Sequence, residues 1–193
     1  MVPGASGVAQ MANLSEFERH QLVAAAERAA ASHDVVVFDC GAGISHNVVS
    51  LASCADTILI VTTPEPTAIT DAYAMVKLLT KHDPRLEIGL IVNDARDSDD
   101  AQMVHTQLDI AATRFLQRRL QYFGHIAHDP ALREAVLVQR PVVDHVPQAP
   151  SSRCFRSLAC RLAGMSQGGP GMRVVAARPP EPVATQTEVA QCA

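Results

Sequence analysis

The residues of this 193-residue chain with the clearest chemical potential are Asp39, Gly41 and Gly43. They close the run Val35-Val36-Val37-Phe38-Asp39-Cys40-Gly41-Ala42-Gly43, in which β-branched and aromatic residues stop at a carboxylate and a glycine-rich turn. A continuous apolar run suits a strand buried on both faces of a parallel sheet. Ligands of such sheets gather at the carboxyl ends of the strands, where Asp39 would sit. A carboxylate there can hold magnesium, directly or through water, and Gly41 and Gly43 let backbone approach a phosphate closely. The same residues also describe a buried strand closed by a polar turn, with Asp39 capping the next segment.

Three further groups invite a chemical reading. His125 and His128 have H-x-x-H spacing, and His145 lies downstream. A zinc site needs three or four ligands and a supporting shell, and no cysteine or carboxylate completes a set, so these read as surface histidines. Cys40 has no histidine near it in sequence to activate a nucleophile, so it reads as structural filler. Arg114, Arg118 and Arg119 could meet DNA phosphates, but with a net charge of -4 they read as a solvated helix face.

The elements that must position these residues emerge from the hydrophobic pattern. Ser15 with Glu18 is a capping-box signature that opens a helix to about Ala31. Val48 to Ala55 suggests a short helix. Thr57–Val61 and Ile88–Val92 read as buried strands, and the second delivers Asn93-Asp94 at its carboxyl end. Between them lies a helix to Lys81, with Thr67 as its expected N-cap and Asp71 in its first turn. A later helix carries Val104, Leu108, Ala111 and Phe115 on one face. Tyr122–Ile126 reads as a fourth strand, and Asp129-Pro130 starts a short helix to about Gln139. Ser151 or Ser152 is the expected cap of a last helix, with Phe155, Leu158, Ala159 and Leu162 on its buried side.

Alternating strands and helices define an α/β fold with a mainly parallel sheet. Hydrophobic residues are 48% and charged residues 19% of the chain, a globular composition, while aromatics at 4% leave the core to aliphatic side chains. The domain is expected over residues 1–166. Residues 167–193, with Gly168-Gly169-Pro170-Gly171 and Pro179-Pro180, are expected to be a disordered tail, and deleting everything after Gly168 is expected to leave the melting temperature almost unchanged. Five scattered cysteines without a C-x-x-C pair, and no secretory signal, imply reduced thiols and a cytoplasmic location.

Three segments in order resemble the MinD/ParA group of P-loop ATPases: Asp39-Cys40-Gly41-Ala42-Gly43, Thr62-Thr63-Pro64-Glu65-Pro66-Thr67 and Ile91-Val92-Asn93. Within that group the chain is most similar to the flagellar-number regulators, FlhG (FleN, YlxH). The added features are Ile44-Ser45, Ala68-Ile69-Thr70-Asp71-Ala72-Tyr73 and Pro3-Gly4-Ala5-Ser6-Gly7. The resemblance spans roughly Val2 to Ala163. It implies a three-layer fold with a mostly parallel sheet flanked by helices, ATP and Mg as cofactors, and a regulator of flagellum number and placement. Asp39 matches the Walker B aspartate, which orients magnesium through its water shell. Gly43 matches the switch glycine, Asn93 the asparagine that reads adenine, and Glu65 lies loosely where relatives dimerise across the nucleotide. The implied partners are an SRP-type flagellar GTPase, basal-body components and a second copy bound through ATP. At most, peripheral contact with the inner face of the plasma membrane is implied.

Departures from the group's pattern set the limits. No segment has the lysine-bearing glycine loop of the group, so the chain is expected to lack the first strand or strands and to be unable to hydrolyse ATP. Without that central strand, the strand carrying Asp39 is expected to expose an unpaired edge. The tail shows no amphipathic helix, Ala127 stands where a proline is common, and Asp94 where a basic or apolar residue is usual. Three classes therefore remain open: a nucleotide-dependent regulator, a non-catalytic interaction module derived from one, and a ParA-like DNA-partition ATPase.

Overall fold

A computed structural model describes residues 15–40, 55–165 and 172–177. Among these, five strands form one sheet in the order β1-β5-β2-β3-β4, every pair parallel. The strands are β1 (Val35–Cys40), β2 (Thr57–Thr62), β3 (Ile88–Ala95), β4 (Gln121–Ala127) and β5 (Met172–Ala177). The helices are α1 (Glu16–Ala30), α2 (Pro66–His82), α3 (Ser98–Leu116), α4 (Pro130–Leu137), α5 (Val142–His145) and α6 (Pro150–Met165). The expected helix of residues 48–55 falls almost wholly outside the described residues.

Side chains alternate across each strand, so the sheet has two covered faces. On one, Ile58 and Ile60 of β2 and Ile88, Leu90 and Val92 of β3 pack with Met75, Val76 and Leu79 of α2 and Val104 and Leu108 of α3. On the other, Leu59, Ile91 and Phe123 meet Leu158 and Leu162 of α6. A satellite cluster of Ala135, Val142 and Ala149 joins α4, α5 and α6. This is the three-layer α/β fold.

Two bulges shape the β3–β4 pair. The register runs Leu90↔Tyr122, then Ile91↔Gly124, so Phe123 is the extra residue of β4. Gly124 has φ +147°, and a Cβ there would lie 2.7 Å from Leu158 Cδ2. The second bulge lies between Val92↔His125 and Ala95↔Ala127, which makes Asn93-Asp94 the bulged stretch of β3.

The local expectations meet mixed outcomes. Ser15 caps α1 with the full reciprocal box, and Asp129 caps α4 with Pro130 behind it. α2 begins earlier than expected, with Glu65 at the N-cap and Pro66 in the first turn, so Thr67 and Asp71 lie inside the helix. Proline fits there because the first turn needs no N–H donor. Ser151 and Ser152 are not caps but buried residues of the first turn of α6. In α3 the buried stripe is Ala101, Val104, Leu108 and Ala112, and Phe115 is 66% exposed.

The larger corrections concern β1 and the tail. β1 is not buried on both faces: Val37 is 55% exposed, because the main packing of α6 is on β4, at the far end of the sheet. The stretch expected to stay unstructured contributes β5, which lies between β1 and β2 and pairs with both. The Gly-Pro composition averaged over the tail hides six residues, Met172-Arg173-Val174-Val175-Ala176-Ala177, without glycine or proline. Six residues suffice for a strand once two edges are waiting for it. The edge of β1 expected to be unpaired for want of a first strand is paired with β5.

Candidate nucleotide-binding edge

Because every strand is parallel, one edge of the sheet collects all the carboxyl ends. Asn93 stands there, half-buried, inside the β3 bulge. Bulges re-aim side chains, and here Asp94 takes φ +58°, a left-handed conformation open to aspartate and asparagine. Asp94 Oδ1 meets His128 Nδ1 at 2.7 Å, and the backbone N–H of His128 donates to Ala95 O at 2.7 Å. These two contacts tie the carboxyl ends of β3 and β4 together beside Asn93.

Next to it, Thr63 follows directly on the paired couple Thr62↔Val92. Its Oγ1 is buried with no hydrogen-bond partner. An unsatisfied buried hydroxyl costs about 1–3 kcal/mol, so a site where a ligand can complete it is chemically favoured. Glu65 is exposed two residues further on, and its side chain makes no cap bond to α2.

Asp39 is set apart from this group. It pairs with Ala176 of β5, which pairs with Leu59, which pairs with Gly89. Asp39 is therefore level with Gly89, four residues short of Asn93, roughly 13 Å back along the strands and about 14 Å across them. Asp39 is exposed. Its neighbour Cys40 is buried in the core on the opposite side of β1; burial first, and the Asp39 charge second, push its thiol up to about 11. Gly41 and Gly43 lie outside the described residues.

The described residues fit the base end of a nucleotide better than its phosphate end. The Asn93 amide offers both donor and acceptor, and Thr63 a free hydroxyl. Lys77 and Lys81 are the only lysines in the sequence; both lie on α2, and neither follows a glycine. Arg96, just past β3, already engages Asp100 by its backbone N–H at 3.0 Å and by Nη2 at 2.8 Å, which holds the Asp100 carboxyl below its usual range. Among the described residues, no lysine stands at the carboxyl ends of the strands.

The other candidate groups scatter. His125 Nδ1 lies 3.1 Å from Tyr122 Oη, and His145 Nε2 lies 3.9 Å from Glu134, so the three histidines have three separate settings. Arg118 Nη1 donates to Pro84 O, and Arg114 lies over the Phe115 ring at 5.3 Å. Sequence reasoning missed Thr63 and the Asp94–His128 pair as members of this edge. The sequence holds the Thr-Thr-Pro-Glu-Pro run, but not which hydroxyl the fold leaves unpartnered. Among the described residues, no helix is long and apolar enough to cross a membrane.

Known proteins share this chain's sequence over most of its length. The antiactivator FleN of Pseudomonas aeruginosa is 36% identical over 162 residues, 84% of this chain and 58% of that protein. The flagellum site-determining protein YlxH of Helicobacter pylori is 31% identical over 170 residues, 88% of this chain and 57% of that protein. The uncharacterized ATP-binding protein MJ0547 of Methanocaldococcus jannaschii is 30% identical over 155 residues, 79% of this chain and 56% of that protein. The chain thus spans a little over half the length of these relatives. Residues 2–162 match the family described as cellulose biosynthesis protein BcsQ, and the chain belongs to that MinD-like family.

Proposed function

We propose that this chain is a MinD/ParA-type regulator of flagellum number and placement that binds the base end of ATP and does not hydrolyse ATP unaided. The observation that carries this reading is Asn93 in its bulge beside the unpartnered hydroxyl of Thr63, on the carboxyl edge of a family sheet. Asn93 reads the base, Thr63 completes a polar contact, and Asp39 orients the water shell of magnesium at the far end of the ligand. Bound magnesium supplies charge neutralisation at the phosphates. Glu65 borders the surface where a second copy docks when nucleotide is present, and Gly41 and Gly43 lend backbone to the phosphates. A flagellar GTPase and basal-body components are the partners that such a nucleotide-gated pair would engage, in the cytoplasm or peripherally at the membrane. FleN and YlxH, by their names, support the flagellar reading, and the name of MJ0547 supports the nucleotide.

Titration calorimetry with Mg-ATP tests this. We expect weak binding, with Kd on the order of 0.1–1 mM since no lysine clamps the phosphates, and at least about fivefold weaker binding in Asn93→Ala and Thr63→Ala. No heat up to millimolar ATP would reject nucleotide binding. Turnover that disappears in Asp39→Ala would reject the non-hydrolysing part. A non-catalytic interaction module that keeps its partner surfaces is the reading that the lysine distribution favours if no binding is found.

A further inference from the structure

At the amino ends of the strands, opposite the edge that holds Asn93, lies a cleft of about 220 Å³. It is lined by Thr80, Pro84, Leu116, Gln117, Arg118 and Arg119. Thr80 and Pro84 belong to the end of α2 and the turn into β3, and the other four to the end of α3 and the turn into β4. Gln117 ends α3 in the left-handed conformation, with φ +54°. Three bonds then fix Arg118. Its backbone N–H donates to Ala112 O at 3.3 Å, its carbonyl accepts from Thr113 Oγ1 at 3.3 Å, and its Nη1 donates to Pro84 O. The guanidinium is therefore held in place without a ligand. Two polar atoms of this cleft, Thr80 Oγ1 and Arg118 Nε, are buried with no hydrogen-bond partner. A buried donor left unpaired is costly, so a ligand that accepts from both is favoured.

We propose that this cleft binds a small phosphate-class dianion, as inorganic phosphate or as a phosphomonoester. Arginine N–H groups form a fork that matches phosphate oxygens, and the Thr80 hydroxyl adds a donor from a second element. Two arginines and no carboxylate line the cleft, so its charge matches a dianion better than a monoanionic carboxylate. Asp83, the acid nearest in sequence, is occupied by Arg85, whose Nε and Nη2 donate to it at 3.0 and 2.9 Å. The volume is below the roughly 300–1,000 Å³ of pockets for drug-sized ligands, which limits the occupant to a small group. Arg118 thus differs from a residue of a solvated helix face: its Nε is out of water and aimed at no partner. This site goes beyond the nucleotide reading, since the 17 residues of α2, about 25 Å of helix, run between the two edges.

The test follows the Arg118 Nε–H resonance of the full chain by NMR as sodium phosphate is added at constant ionic strength, at about pH 8, where phosphate is largely a dianion. A saturable shift is expected, with Kd on the order of 1 mM, and acetate should bind at least about tenfold more weakly. Glycerol phosphate forms a second arm: tighter binding than phosphate assigns the ester, weaker binding the free ion, and either order supports the site. Thr80→Val keeps the side-chain shape without the hydroxyl and should weaken phosphate binding at least about fivefold in calorimetry, while the free variant melts no lower than the unaltered chain. Thr80→Ser should bind as the unaltered chain does. Arg118→Lys keeps the charge but not the Nε–H and should weaken binding to a similar degree. No saturable shift at about ten times the expected Kd overturns the proposal. So does acetate binding as tightly as phosphate, or undiminished binding in Thr80→Val. The valine variant decides even where Arg118→Lys fails to fold, and none of these outcomes bears on the Mg-ATP titration at the Asn93 edge.

Discussion

At Asp129 a single carboxylate closes two helices. Its Oδ1 accepts from Ala131 N at 3.0 Å, and its Oδ2 from Ser151 N at 3.0 Å and Ser151 Oγ at 2.7 Å. The two bonds from Ser151 lower its pKa most, and the Ala131 N–H adds to them. Folding depresses this pKa, so the stabilisation is whole above the ordinary value of 3.8 and is lost as pH falls through the lower folded value. Asp129→Ala should cost about 1–2 kcal/mol at pH 7, read as a melting point several degrees lower. Asp129→Asn should flatten the acid limb of stability below about pH 4, and an unchanged limb would exclude this role. Cys40 behaves in the opposite sense. Its raised pKa means the folded chain favours the neutral thiol, a stabilisation present below 9.0 and lost as pH rises through about 11. Iodoacetamide at pH 8 should therefore label exposed Cys160 at least about tenfold faster than Cys40, and equal rates would contradict the burial of Cys40. The places of Asp39 and Asn93 near strand ends were legible in the sequence because each follows an apolar run. Thr63 and the Asp94–His128 pair were not, because a missing partner, or one 34 residues away, is a property of space and not of pattern.

At the scale of elements, the same contrast separates what local chemistry dictates from what tertiary contacts decide. The capping box at Ser15 and the Asp-Pro start of α4 involve residues within three positions of one another, and the sequence shows both. The start of α6 does not follow its serines, since Ser152 Oγ is drawn to Val142 O at 3.0 Å and Val146 O at 2.8 Å. β4 depends on one position in the same way. Gly124→Ala combines positive φ with a Cβ 2.7 Å from Leu158 Cδ2, and should cost roughly 2–3 kcal/mol. Adding Leu158→Ala should remove the clash but leave the φ strain, so an incomplete rescue is expected in thermal melts, beyond the loss that Leu158→Ala causes alone. β5 was illegible because its two partners lie more than a hundred residues earlier in the chain. Ending the chain at Ser166 should lower the melting temperature by several degrees or more, since ten backbone couples vanish from the middle of the sheet. A melt within one degree of the full chain, within the scatter of such measurements, would show that β5 does not hold β1 to β2.

Taken as a whole, the molecule is a sheet in two parts. β2, β3 and β4 follow one another in sequence and in space, flanked by helices whose periodicity is plain in the sequence, and this is the portion that the apolar runs outline. β1, with Asp39, joins that body through β5, so the register of one strand sets how far Asp39 stands from Asn93. The α/β class was readable because buried runs and helical spacing are local signals; the strand order was not, because it rests on pairings between distant segments. That order also bears on how the protein is made. A ribosome emits Val35–Cys40 early and Met172–Ala177 on the order of ten seconds later, at 5–20 residues per second. Among the described residues, β1 pairs with β5 and no other strand, while β2 and β3 pair with each other and β3 with β4, so that part can assemble before β5 is made. Val37, exposed even in the finished fold, then belongs to an apolar segment open to chaperones and to neighbouring chains on the same polysome. The speed of translation, and not only the sequence, would then govern how much of this protein reaches its monomeric fold.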